Sequence, residues 1–167
     1  MKEIALEQVC DTLDELLDRY GDMVYRVALQ NMRNISDAED LSQDVFIKIM
    51  QKRPTFDSVQ YEKAWILRVT MNTCRDRWKY KRMRSTVELQ EYLSAEDDKP
   101  QDFGILYEVM KLPQNYRNVI YLFYYEDMSV AMIADILQRK QATILTWLRR
   151  ARKMLKGQLE EGELFEK

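Results

Sequence analysis

Between Ser85 and Asp102 the sequence reads STVELQEYLSAEDDKPQD, and its apolar residues keep little helical or strand period. It carries Glu88, Glu91, Glu96, Asp97, Asp98 and Asp102 against only Lys99, with Pro100 near its end. A segment of that composition buries too little apolar surface to offset the entropy of ordering, so it reads as an acidic flexible linker. The chain on each side must then close a core of its own. Two small domains are predicted, residues 1–84 and 103–167, joined by residues 85–102. With only 4 Gly and 3 Pro in 167 residues, both are expected to be all-α.

In the first domain Val9, Leu13, Leu16, Leu17 and Tyr20 recur at helical spacing, Gly21 interrupts, and Val24, Val27 and Ala28 resume the pattern. Ser36 and Glu39 stand in capping-box positions, which predicts a helix start there. That helix has an inward stripe of Ala38, Leu41, Val45 and Ile49, and a second stripe of Asp40, Gln43, Asp44 and Ile47 turned away from it. Such an acidic face is normally a solubility feature; Ile47 at its end suits a protein-binding surface. Pro54 opens a loop, RPTFDSVQY, and a third helix is expected from about Glu62, with Trp65, Ile66, Val69 and Thr73 at core spacing. After Cys74 the apolar period fails, so the rest of this helix is expected to project from the bundle as a charged surface.

In the second domain Pro113 suits a helix first turn, and Tyr116, Val119, Ile120 and Phe123 fall on one stripe. Ser129 is placed to cap a short helix bearing Ile133, Ile136 and Leu137. A basic helix follows from about Lys140, with Ile144, Leu148, Ala151 and Leu155 inward. Short helix, tight turn and longer basic helix form the layout of a helix-turn-helix.

The formal net charge of −2 hides a strong segregation. From Trp65 to Arg84 stand Arg68, Arg75, Arg77, Lys79, Lys81, Arg82 and Arg84 against one acid, Asp76. From Arg139 to Lys156 there is no acid at all. A charged helix face is usually only solvated, but most of these bases lack acids at i±4 and repel one another unless an anion arrives. Nucleic acid is the natural partner, phosphate supplying affinity and base edges specificity. Trp78 and Tyr80 among the first set of cations suit stacking on unpaired bases, although aromatics at such spacing also pack cores.

Other chemistry is disfavoured. There is no histidine, Cys10 and Cys74 are far apart, and no phosphate-cradling glycine loop occurs. No metal, cofactor or catalytic residue is expected, and the chain reads as a non-enzyme. No apolar run approaches the roughly 20 residues of a membrane span, and the first residues are acidic where a signal peptide is basic, so the expected location is the cytoplasm without membrane insertion.

The runs YGDMVYRVAL, DAEDLSQDVFIKIM, AWILRVTMNTCRDRW and LPQNYRNVIYLFYYEDMSVAMIADIL…RRARKML, in that order, resemble a bacterial RNA polymerase sigma factor of the extracytoplasmic-function (ECF) group of the sigma-70 family. The resemblance covers about Leu13 to Leu155. It implies that residues 1–84 form region 2 and residues 103–167 region 4, and that the protein binds core RNA polymerase, directs it to promoter DNA and aids melting. Asp40, Gln43, Asp44 and Ile47 would then dock on the polymerase clamp. The loop from Phe56 to Tyr61 would capture a flipped base. Arg68, Asn72, Arg75, Arg77, Trp78, Lys79, Lys81 and Arg82 would hold the minus-10 element, with Arg75, Arg77, Lys79 and Lys81 foremost. Arg139, Lys140, Gln141, Thr143, Leu145, Thr146, Arg149 and Arg150 would serve the minus-35 element. The linker would run near the polymerase active site and RNA-exit path, and its span of at most roughly 60 Å exceeds one turn of B-DNA, about 34–36 Å. An anti-sigma factor, membrane-bound in many relatives, is a further implied partner.

The sequence departs from the family pattern at Gln138, Arg139 and Lys140, where a glycine, a small apolar residue and a serine are usual. Loss of the glycine removes the easiest route to a left-handed turn. Leu145 and Trp147 replace polar or basic side chains; Leu145 suits thymine methyl groups, and both also suit a protein contact such as an inhibitor. Two other classes compete: an autonomous helix-turn-helix regulator that binds duplex without polymerase, and a helical adaptor whose basic faces are merely solvated.

Overall fold

The computed structural model describes residues 12–52, 54–84 and 104–165, and no strand occurs among them. Val9, the predicted linker 85–102 and Phe103 lie outside the described residues. The chain divides into two compact units, one within Met1–Tyr92 and one within Leu93–Lys167.

The first unit consists of three helices, α1 (Leu13–Met32), α2 (Ile35–Lys52) and α3 (Val59–Arg84), each packed on the other two. Thr12 caps α1 through a full capping box: its hydroxyl accepts from the Glu15 N–H, and the Glu15 carboxylate accepts from the Thr12 N–H at 2.7 Å. Contrary to the sequence reading, α1 runs unbroken through Gly21, because one glycine costs a helix only about 1 kcal/mol against the burial of its apolar face. That face is Leu16, Tyr20, Val24, Val27 and Ala28, while Leu13 and Leu17 are exposed rather than core. Arg33 ends the helix in the left-handed conformation (φ 56°). The expected capping box at Ser36 does not form. Asn34 takes its place, its side-chain oxygen accepting from the Asp37 N–H at 3.0 Å, so α2 begins one residue before Ser36.

On α2 the stripe Ala38, Leu41, Val45 and Ile49 is buried as predicted. Helix α3 starts at Val59, three residues before the expected Glu62, since Ser58 supplies the cap by accepting from the Tyr61 N–H at 3.3 Å. Its buried side is Ile66, Leu67, Thr70, Met71, Thr73 and Cys74; Trp65 and Val69 are only half-buried.

The second unit holds α4 (Gly104–Lys111), α5 (Gln114–Ile120), a π-helical turn (Tyr121–Tyr125), α6 (Val130–Leu137) and α7 (Gln141–Phe165). Pro113 stands at the N-cap of α5, one residue before the first turn. Val119 and Ile120 are buried, whereas Tyr116 and Phe123 are half-buried. Arg117 is fully buried, its Nη1 donating to the carbonyls of Met110 (3.0 Å) and Leu112 (3.3 Å) and so tying the end of α4 to α5. Ser129 caps α6 as predicted, accepting from the Met132 N–H. Against α6 and α5 packs α7, through Ile144, Leu148 and Ala151.

Candidate nucleic-acid interface

The polar side chains of α3 fall into two sets by helical geometry. Arg68, Asn72, Arg75, Lys79 and Arg82 recur at i, i+4, i+7, i+11 and i+14, which places them on one face. Tyr61, exposed in the first turn, begins the same stripe, and from Tyr61 to Arg82 the helix rises about 32 Å, close to one turn of B-DNA. Lys79 and Arg82 are exposed; Arg68, Asn72 and Arg75 are half-buried. The Asn72 amide oxygen is buried and accepts no hydrogen bond. Phe56 is not free on the loop: its ring meets that of Trp65 at 5.5 Å.

Arg77 and Lys81 project from a different side of α3, toward α2. Arg77 is ion-paired with Asp44, and Lys81 Nζ lies 2.5 Å from the Asp37 carboxylate. One turn back, Lys48 Nζ donates to the Thr73 hydroxyl at 3.1 Å. As positions rise on α2 they fall on α3, so these contacts form a polar seam between antiparallel helices. Trp78 joins the packing as well, its indole N–H donating to the Asn31 carbonyl at 2.9 Å. The expectation that the helix beyond Cys74 projects from the bundle is therefore corrected. Apolar periodicity stops there, but packing continues through ion pairs and an indole hydrogen bond. The acids that balance Arg77 and Lys81 lie on the neighbouring helix, where an i±4 search along α3 does not reach. Asp37 was missed for that reason, although Asp37 and Asp44 stand seven residues apart on one side of α2.

On α2, Asp40, Gln43 and Ile47 are exposed and Asp44 is partly so, and their spacing brings them to one surface. Asp44 thus sits at the junction of that surface and the seam.

In the second unit the turn between α6 and α7 is made without glycine. Gln138 itself adopts the left-handed conformation (φ 53°), and the Arg139 N–H donates to the Ala134 carbonyl at 2.9 Å, closing the end of α6. Arg139 and Lys140 are exposed ahead of α7, followed by exposed Gln141, Ala142, Leu145, Arg149 and Arg150. Thr143, Thr146 and Trp147 are half-buried, and the Thr146 hydroxyl donates to the Ala142 carbonyl. Further along, Arg152 is engaged by the π-helical turn: its Nε donates to the Tyr124 hydroxyl at 2.7 Å and its guanidinium covers the Phe123 ring.

No group of three or more His, Cys, Asp or Glu side chains suited to a metal occurs among the described residues. Cys74 is buried, and that burial pushes its thiol up to about 12, away from nucleophilic use. No helix among the described residues is long and apolar enough to cross a membrane.

Comparison with known proteins gives concordant results for both units. Residues 16–84 match Sigma-70 region 2, and residues 105–155 match Sigma-70 region 4. The ECF RNA polymerase sigma factor SigW of Bacillus subtilis is 28% identical over 169 aligned positions, with 90% of each chain covered. RNA polymerase sigma factor SigV of the same organism is 29% identical over 143 positions, covering 84% of this chain and 86% of its own. Among solved structures, the sigma factor RpoE of Bartonella quintana, crystallised with the anti-sigma factor NepR, shares the fold at a TM-score of 0.68 and 23% identity, with 88% of this chain and 96% of that one covered. Two region matches in the order of the family, on the two units whose helices were derived above, leave one assignment: the chain belongs to the sigma-70 family of RNA polymerase sigma factors, in its ECF group.

Proposed function

We propose that the promoter-directing activity of this sigma factor is divided among three surfaces. Residues 1–84 act as region 2 and residues 103–167 as region 4. Asp40, Gln43, Asp44 and Ile47 on α2 dock on core RNA polymerase. The α3 stripe of Tyr61, Arg68, Asn72, Arg75, Lys79 and Arg82 follows the minus-10 DNA as it opens. Arg77 and Lys81 hold α3 to α2 and support that surface rather than forming it. The start of α7, from Gln141 to Arg150, enters the major groove at the minus-35 element, with Arg139 and Lys140 just ahead of it.

The observation that carries this reading is the sorting of α3 cations, with one set aligned along a face about as long as a turn of DNA and the other neutralised by α2. A merely solvated helix has no need of such sorting. The protein does no bond chemistry itself, the polymerase being the catalyst, and it works in the cytoplasm where core polymerase and the chromosome are found. An anti-sigma factor is its proposed inhibitor, by likeness to the Bartonella protein crystallised with one.

The test is co-elution of the purified protein with bacterial core polymerase, then transcription from a pool of genomic fragments. Stable binding and new discrete start sites are expected. Binding of duplex DNA by the protein alone, with no affinity for core, would overturn the proposal in favour of an autonomous helix-turn-helix regulator.

A further inference from the structure

Leu145 is 56% exposed, while its neighbours on α7, Ile144 and Leu148, are 0% and 1% exposed. It is not a core residue that strays outward. Ala142 lies at i−3, Gln141 at i−4 and Arg149 at i+4, so the leucine stands in a continuous outward strip with all three exposed around it. Arg139 and Lys140 precede the strip, Arg149 and Arg150 follow it, and no acid occurs on α7 before Glu160. A frame of four cations, with Asp135 on α6 the nearest acid before it, suits an anionic partner that also offers something apolar to its middle.

Leucine has no donor or acceptor, so it cannot read the hydrogen-bonding edge of any base. In the major groove the apolar feature that distinguishes one ordinary base from the others is the C5-methyl of thymine. From this we propose that Leu145, with Ala142 beside it, is a specificity-determining residue that selects thymine by its methyl group in the minus-35 element. The proposal rests on the reading of α7 as the minus-35 helix. Gln141 and Arg149, flanking it, supply the polar readout and phosphate contact that a leucine lacks.

The test uses the full-length protein with core polymerase on a promoter found in the genomic pool. Each minus-35 thymine, on either strand, is replaced in turn by deoxyuracil, which removes the methyl and leaves every hydrogen-bonding group in place. Wild type is expected to lose about fourfold in promoter affinity at one or two positions, the value of one buried methyl group. Leu145→Ala is expected to bind the unmodified promoter more weakly and to lose that discrimination, and Leu145→Lys to lose it while keeping the cationic surface. Because the side chain is exposed, both variants should match wild type in thermal unfolding.

Normal initiation with no effect of deoxyuracil at any position would overturn the inference alone. So would a minus-35 element without thymine, or a penalty that persists unchanged in Leu145→Ala. Failure to bind core or to give discrete starts on unmodified DNA would overturn the sigma reading, and this inference with it.

Discussion

The Arg77 guanidinium on α3 lies against the Asp44 carboxylate on α2, pairing a base predicted to contact DNA with an acid predicted to contact polymerase. Both side chains retain access to solvent, so the pair is worth about 0.2–1 kcal/mol. Asp44→Lys sets two cations face to face and is expected to destabilise the first unit by about 1 kcal/mol in urea unfolding. Adding Arg77→Asp to that variant restores the attraction and most of the loss, and the four-protein cycle measures the coupling. On the proposal that α2 docks on core polymerase, core binding is expected to stay weakened in the double variant, since residue 44 still carries the reversed charge.

The sorting of α3 predicts different salt responses. Lys79→Ala and Arg82→Ala are each expected to lower the slope of log affinity against log salt by about 0.9 in holoenzyme–promoter binding, one phosphate contact apiece. Arg77→Ala and Lys81→Ala should leave the slope nearly unchanged and lower the stability of the first unit instead. Binding measured at four or five salt concentrations distinguishes the two sets.

Gly21 lies inside α1, and a Cβ built there meets nothing within 4 Å. Gly21→Ala is expected to stabilise the first unit by about 1 kcal/mol through a smaller entropy loss on folding, read as a higher urea midpoint with an unchanged slope.

Arg117 gives the opposite case. Arg117→Met removes the buried donor that the Met110 and Leu112 carbonyls share. Loss of these two hydrogen bonds is expected to destabilise the second unit by about 1–3 kcal/mol, visible in thermal unfolding. The first unit, having its own core, should keep its stability.

Cys74 predicts an alkaline limit. Its thiol is pushed up to about 12 by burial, and the Tyr20 phenol is also raised, first by burial and then by the Glu62 carboxylate that accepts its hydrogen bond at 2.7 Å. In both cases the folded state holds its proton more tightly than the unfolded chain. The stability this brings is complete below the unfolded values, about 8.5 for the thiol and about 10 for the phenol, and fades as pH rises through the folded ones. Urea midpoints measured from pH 8 upward should therefore fall. In a Cys10→Ser chain, alkylation of Cys74 at pH 8 should be much slower in the native state than in urea.

What the sequence made legible follows from range. The inward stripes of α2, α6 and α7 obey a period within one helix, and Ala38, Leu41, Val45, Ile136, Ile144 and Leu148 are buried as the period requires. The exposed strip on α2 followed from the same geometry. Caps were less legible, because Asn34 and Ser36 both offer an oxygen at the same junction, Asn34 to the Asp37 N–H and Ser36 to the Glu39 N–H, and only one of them can be the N-cap. The seam was hidden altogether. Asp37 and Lys81 are 44 residues apart in sequence, and nothing within either helix says that the other lies beside it. Gln138 shows a residue-level expectation giving way to its surroundings: the turn keeps its left-handed geometry, at the modest strain a side chain incurs there, because two α6 carbonyls accept the Gln138 N–H.

The two-sided arrangement of α3 has an evolutionary consequence. Substitutions at the exposed Lys79 and Arg82 change the outward surface of the helix, while those at Thr73, Arg77, Trp78 and Lys81 change how firmly it is mounted. Recognition can then diverge between descendants of this chain without renegotiating the mounting. A repertoire of such proteins can share one polymerase while each answers to different promoters.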